Sequence, residues 1–180
     1  SEILTKGVFS TMVKPVGQRC NLNCTYCYYR KPERKESGLM SETLLEEYIR
    51  QYITGQDSDI ISFCWHGGEP TTAGLAYFKK AVELQKKYSD GKQIDNTLQT
   101  NGILIDHEWC RFFAENNFLV GLSIDGPASI HDGNRRWNGG RSLHEAAFRS
   151  AKMFHDTGVE FNTLTTVNRL SEGKGEEVYV

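Results

Sequence analysis

Residues 93–126 read QIDNTLQTNGILIDHEWCRFFAENNFLVGLSIDG, and the order of elements within them decides the fold. QIDNTLQT is a strand stopped at Asn101-Gly102. DHEWCRFFAEN follows as a short helix with Asp106 at its N-cap. FLVGLSID is a second strand, ended by Gly126-Pro127. Two strands joined through a helix in this way run parallel with a right-handed crossover.

The same alternation extends in both directions. Upstream, DIISFCWHGG is a strand rich in apolar and aromatic residues, stopped by Gly67, Gly68 and Pro70. A helix, AGLAYFKKAVELQKKY, links it to QIDNTLQT, with Leu75, Phe78, Ala81, Val82 and Leu84 inward. Before it comes SETLLEEYIRQYIT, a helix capped by Ser41 with an apolar stripe of Leu44, Leu45, Tyr48, Ile49 and Tyr52. FSTMVKPVG is the first strand. Downstream, SLHEAAFRSAKMFHDTG is a helix with a Ser142/Glu145 capping box and Gly158 at C′, and VEFNTLTTVN is a fifth strand. Between them, GPASIHDGNRRWNGGR reads as a long loop with four glycines, and loops of that length in a compact domain are usually functional or mobile.

The chain has 180 residues, enough for one domain with a core. Apolar residues make up 38% and charged residues 24%, with a net charge of −2, which argues against a nucleic-acid surface. No apolar run approaches the ~20 residues of a membrane span, and the N-terminus lacks an apolar signal core, so a cytoplasmic location is expected. The C-terminal LSEGKGEEVYV resembles the opening of another helix. A barrel unit takes roughly 31 residues, so five units use about 155 and leave little for a sixth.

The chemistry-bearing residues fall at the carboxyl ends of the strands, where parallel α/β folds keep their ligands. Cys20, Cys24 and Cys27 follow strand one, HGGEP follows strand two, QTNG closes strand three and SIDGP closes strand four. In a cytosolic protein, clustered cysteines point to metal or catalysis. The spacing C-x₃-C-x₂-C lets three thiolates meet one metal centre, and thiolates suit zinc or iron–sulfur clusters. Three cysteines leave one iron of a [4Fe–4S] cluster without a protein ligand. A zinc site with a fourth ligand accounts for the cysteines but not for the glycine-rich strand ends. Cys64, inside a strand, and Cys110, on a helix, read as buried small hydrophobes. The histidines show no ligand spacing, although His66 before the glycines is placed to face a substrate.

CNLNCTYCYY resembles the cluster motif of the radical S-adenosylmethionine enzymes, with the aromatic Tyr26 just before the last cysteine. GGEP resembles that superfamily's second motif. The wider run CNLNCTYCYYRK, WHGGEPT, LQTNG, FLVGLSIDGP and HDGNR is similar to the anaerobic sulfatase-maturating enzymes, from about Met12 to Asn168.

The resemblance implies a partial parallel (β/α)₆ barrel with about five units present, open at one end. It implies a [4Fe–4S] cluster on Cys20, Cys24 and Cys27 and S-adenosylmethionine bound at its open iron. By position, Tyr26, Gly67, Gly68, Glu69, Ser123 and Arg135 would bind that cofactor. The glycines would offer carbonyls to its amino group, Ser123 would meet a ribose hydroxyl and Arg135 would pair with its carboxylate. Gln99, Thr100 and Asn101 would line the floor. The implied activity is oxidation of a sulfatase cysteine or serine to formylglycine through a 5′-deoxyadenosyl radical. Implied partners are a sulfatase polypeptide and an electron donor such as a ferredoxin or flavodoxin, with no nucleic acid and no membrane.

The subgroup carries a C-terminal cysteine-rich extension of the SPASM type, with further clusters and a catalytic aspartate. None of it lies within these residues, so residues 1–180 are expected to be a core domain that does not complete the reaction alone. Another radical peptide-modifying maturase, forming thioethers or crosslinks, and a non-enzymatic zinc-binding module stay open as alternatives.

Overall fold

The computed structural model describes residues 6–29, 38–137 and 142–179. One sheet of five parallel strands runs in the order β1-β2-β3-β4-β5 and does not close on itself. The strands are β1 (Thr11–Val13), β2 (Ile60–Trp65), β3 (Gln93–Thr100), β4 (Phe118–Ser123) and β5 (Glu160–Leu164). The longer helices are α1 (Glu42–Thr54), α2 (Leu75–Tyr88), α3 (His107–Glu115) and α5 (Leu143–Thr157). Two short ones are α4 (Ala128–Asn134) and α6 (Gly175–Tyr179). This is the parallel α/β fold expected from the alternation of elements.

Local signals act as the sequence suggests. Ser41 accepts from the Leu44 N–H, and Asp106 accepts from the N–H groups of Glu108 and Trp109. Ser142 accepts from the Glu145 N–H, one half of the expected capping box, and Gly158 ends α5 in the left-handed region at φ 71°. β3 spans the same eight residues as expected. β1 is shorter than FSTMVKPVG, because Pro15 has no N–H for a ladder and Gly17 turns back onto the Lys14 carbonyl.

Three expectations are corrected. Leu44 is 54% exposed, because the buried stripe of α1 is Leu45, Ile49, Tyr52 and Ile53, the i, i+4, i+7, i+8 set, and Leu44 sits one position off it. Cys110 is fully buried, whereas Cys64 is only half-buried, because it lies on the strand face opposite Phe63 and Trp65. The stretch taken as a long loop holds α4. Its sequence ASIHDGN is a weak helix former, and burial of Ile130, His131 and Asn134 at i, i+1, i+4 supplies what propensity does not. Residues 138–141 of that stretch, including Gly139 and Gly140, lie outside the described residues.

Ile61, Phe63 and Trp65 of β2 and Leu98 of β3 pack with α1 and α2, and Phe113, Phe118 and Phe154 continue the same core toward α5. Within it lies a polar knot. Asn96 accepts from Trp65 Nε1 at 2.8 Å and from Gln85 Nε2 at 2.9 Å, and it donates back to Gln85 at 3.0 Å. The fold predicts that Asn96→Ala, by leaving the indole N–H and the Gln85 amide unpaired, lowers stability by about 3 kcal/mol. Urea denaturation of the two proteins measures it.

Candidate functional site

The strand ends and the loops beyond them enclose a cavity of about 430 Å³, within the size range of small-molecule sites. Cys20, Cys24, Tyr26, Cys27, Gly67, Gly68, Glu69, Ser123 and Arg135 all line it, as do His66, Gln99, Thr100 and Asn101. Sequence positions up to 115 apart, from Cys20 to Arg135, therefore meet in one place.

The cysteine loop after β1 is held from three sides. Thr25 donates through its N–H to the Asn134 carbonyl and through its hydroxyl to Asn134 Oδ1, each at 2.8 Å. The Asn23 N–H donates to the Arg136 carbonyl at 2.8 Å. Tyr26 donates to Asp125 at 2.6 Å. At Cys20 the Leu22 N–H points at the sulfur from 3.3 Å and Asn101 Nδ2 lies at 3.9 Å. Hydrogen bonds of this kind to thiolate sulfur are among the means by which proteins tune iron–sulfur clusters.

All three cysteines are reduced thiols and half-buried. Burial pushes the Cys20 thiol up to about 11, partly offset by the Leu22 N–H. Burial also raises Cys24, against the pull of the Arg135 charge. Among the described residues, no three histidine, cysteine, aspartate or glutamate side chains converge closely enough for a single metal ion. A cluster makes no such demand, because each thiolate serves a different iron. Three soft thiol donors on one loop suit a polynuclear iron–sulfur group.

The glycine pair after β2 has a structural reason. A Cβ on Gly68 would sit 2.0 Å from the Arg19 carbonyl oxygen, and one on Gly67, at φ 119°, would sit 2.8 Å from that of Gly17. This loop lies directly on the segment entering the cysteine loop, through Gly68 N–H to Gly17 O at 2.9 Å and Glu69 N–H to Arg19 O at 2.8 Å. Among the described residues, the carbonyls of Gly67 and Gly68 receive no hydrogen bond. His66 Nδ1 accepts from the Gly67 N–H at 2.7 Å, and burial lowers the imidazole's proton affinity.

Two buried carboxylates tie the rim together. Glu69 accepts from the Thr71 N–H and hydroxyl, the Thr100 hydroxyl and the Asn101 N–H, so its carboxylate is committed to protein donors. Burial raises its pKa, only partly offset by those bonds. Asp125 accepts both Arg135 Nε at 2.9 Å and Nη2 at 3.0 Å, and Arg135 also lies over the Tyr26 ring. Burial pushes Asp125 up, but Arg135 outweighs it and holds the carboxyl below its ordinary value. Arg135 is thus a clamped side chain.

Sequence reasoning left Asp125, His131, Gly121 and Asn134 without a role. The signal at Asp125 was a charged residue ending the apolar run FLVGLSID. Gly121 leaves open the space through which Gln99 reaches Ser123 at 3.0 Å, since a Cβ there would lie 2.2 Å from Gln99 Oε1.

Residues 15–179 match the family model described as the radical SAM superfamily. This chain belongs to the radical SAM superfamily. A serine-type anaerobic sulfatase-maturating enzyme of Bacteroides thetaiotaomicron is 46% identical over 161 residues, covering 87% of this chain and 39% of that protein. A cysteine-type anaerobic sulfatase-maturating enzyme of Clostridium perfringens is 41% identical over 175 residues, covering 94% of this chain and 47% of its own length. Native anSMEcpe with bound AdoMet superposes with a TM-score of 0.88 at 41% identity, covering 93% of this chain and 46% of that one. The complex of anSMEcpe with AdoMet and the Cp18Cys peptide gives a TM-score of 0.89 at 40% identity, covering 97% and 46%. The chain spans less than half the length of these relatives. Among its described residues, no helix is long and apolar enough to cross a membrane.

Two outcomes follow from this geometry. Gly68→Ala is expected to displace the Arg19 carbonyl, and with it the cysteine loop, so that iron uptake on anaerobic reconstitution falls by at least about half. Iron analysis per chain measures it. His131, 1% exposed, accepts the Asp125 N–H on Nδ1 at 3.2 Å. Burial and then the Arg135 charge lower its pKa to about 4, while Asp125 and Asp132 pull upward and His144 downward. The unfolded chain binds this proton near 6.5 and the folded chain does not. Stability is therefore lost as pH falls from about 6.5 to about 4, by about 3 kcal/mol in all. His131→Gln, which also accepts the N–H but does not titrate, removes that part of the acid sensitivity, as thermal melts across this range will read.

Proposed function

We propose that this chain is the cofactor-binding core of a radical SAM maturase that oxidises a sulfatase cysteine or serine to formylglycine. The observation that carries the reading is the convergence of three half-buried thiols, the Gly67 and Gly68 carbonyls, Ser123 and a clamped arginine on one cavity. Likeness to sulfatase-maturating enzymes of both types, over nearly all of this chain, supports the substrate class.

Cys20, Cys24 and Cys27 would hold a [4Fe–4S] cluster, leaving one iron for S-adenosylmethionine. When bound, the pair supplies a 5′-deoxyadenosyl radical able to abstract hydrogen from the target side chain. The residues of this chain bind and orient. The Gly67 and Gly68 carbonyls would accept from the amino group, and Arg135 would face the carboxylate with the N–H groups that Asp125 leaves unused. Ser123 accepts from Gln99 at 3.0 Å, which leaves its own hydroxyl hydrogen for a ribose oxygen. Tyr26 gives its ring edge and backbone to the adenine side, since its hydroxyl is already engaged by Asp125. Glu69 contributes the shape of the Gly67–Gly68 loop. A sulfatase polypeptide is the substrate and a ferredoxin or flavodoxin the electron donor.

The test is anaerobic reconstitution of the chain, and of any longer protein that contains it, followed by incubation with S-adenosylmethionine, a reductant and a sulfatase-derived peptide. The expected result is about four irons per chain on this motif, lost in Cys24→Ala, and a peptide whose target residue becomes an aldehyde in the longer protein. A stable zinc complex with no iron uptake would overturn the reading, and a thioether or crosslink in the peptide would move it to another maturase class.

A further inference from the structure

Asp125 has no solvent exposure, and its carboxylate takes four hydrogen bonds from three separate segments. Tyr26 reaches it from the cysteine loop at 2.6 Å. Arg135, at the C-terminal end of α4, grips it through Nε at 2.9 Å and Nη2 at 3.0 Å. The Thr166 N–H, beyond β5, donates at 3.0 Å. A carboxylate offers about four acceptor sites, so this one is saturated. Its own N–H is fixed as well, on His131.

We propose that Asp125 is the positioning residue that aims Arg135 at the carboxylate of S-adenosylmethionine and locks that contact to the loop carrying the cluster cysteines. The inference rests on the functional reading above. A guanidinium has five N–H donors, and Asp125 uses two of Arg135's, leaving three; among the described residues none of the three has another acceptor. Arg135 is 8% exposed. Without Asp125 it would be a buried, unpaired cation free to change rotamer. With Asp125 the charge is balanced and the fork is set in one plane before any ligand arrives. Ordering a side chain in advance removes that cost from binding. The Tyr26 bond to the same carboxylate extends the constraint to the residues between Cys24 and Cys27. The arginine and the cluster loop thus share one anchor, which fixes the distance between the two groups that grip the cofactor.

The test compares the unsubstituted chain, Asp125→Asn, Arg135→Gln and the double variant, each reconstituted to equal iron content. S-adenosylmethionine is titrated while following the EPR spectrum of the reduced cluster, with melting temperature read separately. Asp125→Asn and Arg135→Gln are each expected to raise Kd at least about tenfold, and the double variant is expected to be no worse than Arg135→Gln, because losses through a shared contact do not multiply. Asp125→Glu keeps the charge and provides a second folded test. It too is expected to weaken binding about tenfold, since one added methylene displaces the fork. Unsubstituted affinity in either folded variant at equal iron content overturns the proposal, as does a double-variant loss equal to the product of the single losses. An unsubstituted chain that builds no cluster sinks the functional reading and this inference together, whereas a normal cluster with unaltered binding in the variants sinks this inference alone.

Discussion

Parallel pairing is the constraint on which the rest depends. All five strands run in one direction, so every carboxyl end arrives at the same rim, and every loop that leaves a strand starts beside its neighbours. The register then decides which side chains meet. Gln99 is opposite Gly121, and Ser123 is opposite Leu164, so the missing side chain at 121 opens a path for the Gln99 amide to reach Ser123. A shift by one residue would turn each of these groups to the other face of the sheet.

A sheet sets strand ends but not the loops beyond them. Here that step is taken by two buried carboxylates with contrasting electrostatics. Glu69 has hydroxyl and amide donors only, and burial raises its pKa. Asp125 has a guanidinium, and its pKa is held down. The first joins the loop after β2 to the end of β3, and the second joins the end of β4 to the cysteine loop, α4 and the segment after β5. Side chains held by buried hydrogen bonds of this kind are what a site requiring sub-ångström placement needs.

The glycines of HGGEP illustrate how one residue type serves two demands. Close approach of a ligand and close approach of another loop both exclude a Cβ. The contact at Gly68, where a Cβ would overlap the Arg19 carbonyl, shows the second demand acting within the protein itself. Among the described residues, the carbonyls of Gly67 and Gly68 receive no hydrogen bond.

Much of the fold and the composition of the site were legible in the sequence. Capping residues at Ser41, Asp106 and Ser142, the glycine stops and the alternation of strand and helix are local, and local chemistry is written in consecutive residues. The three cysteines and Gly67–Gly68 were legible because their residue types are rare in that spacing. The helix α4, the outward turn of Leu44 and the half-burial of Cys64 were not, because each depends on what packs against the element. The same holds for Asp125. Its sequence neighbourhood shows only an acid at a strand end, while its partners Tyr26, Arg135 and Thr166 lie up to 99 positions away. The sequence by itself determined which elements form, their parallel order and the residue types gathered at the rim. Only the tertiary structure decided which of those groups are left with free donors and acceptors, because hydrogen bonds between segments distant in the chain exist only once the sheet has brought their ends together.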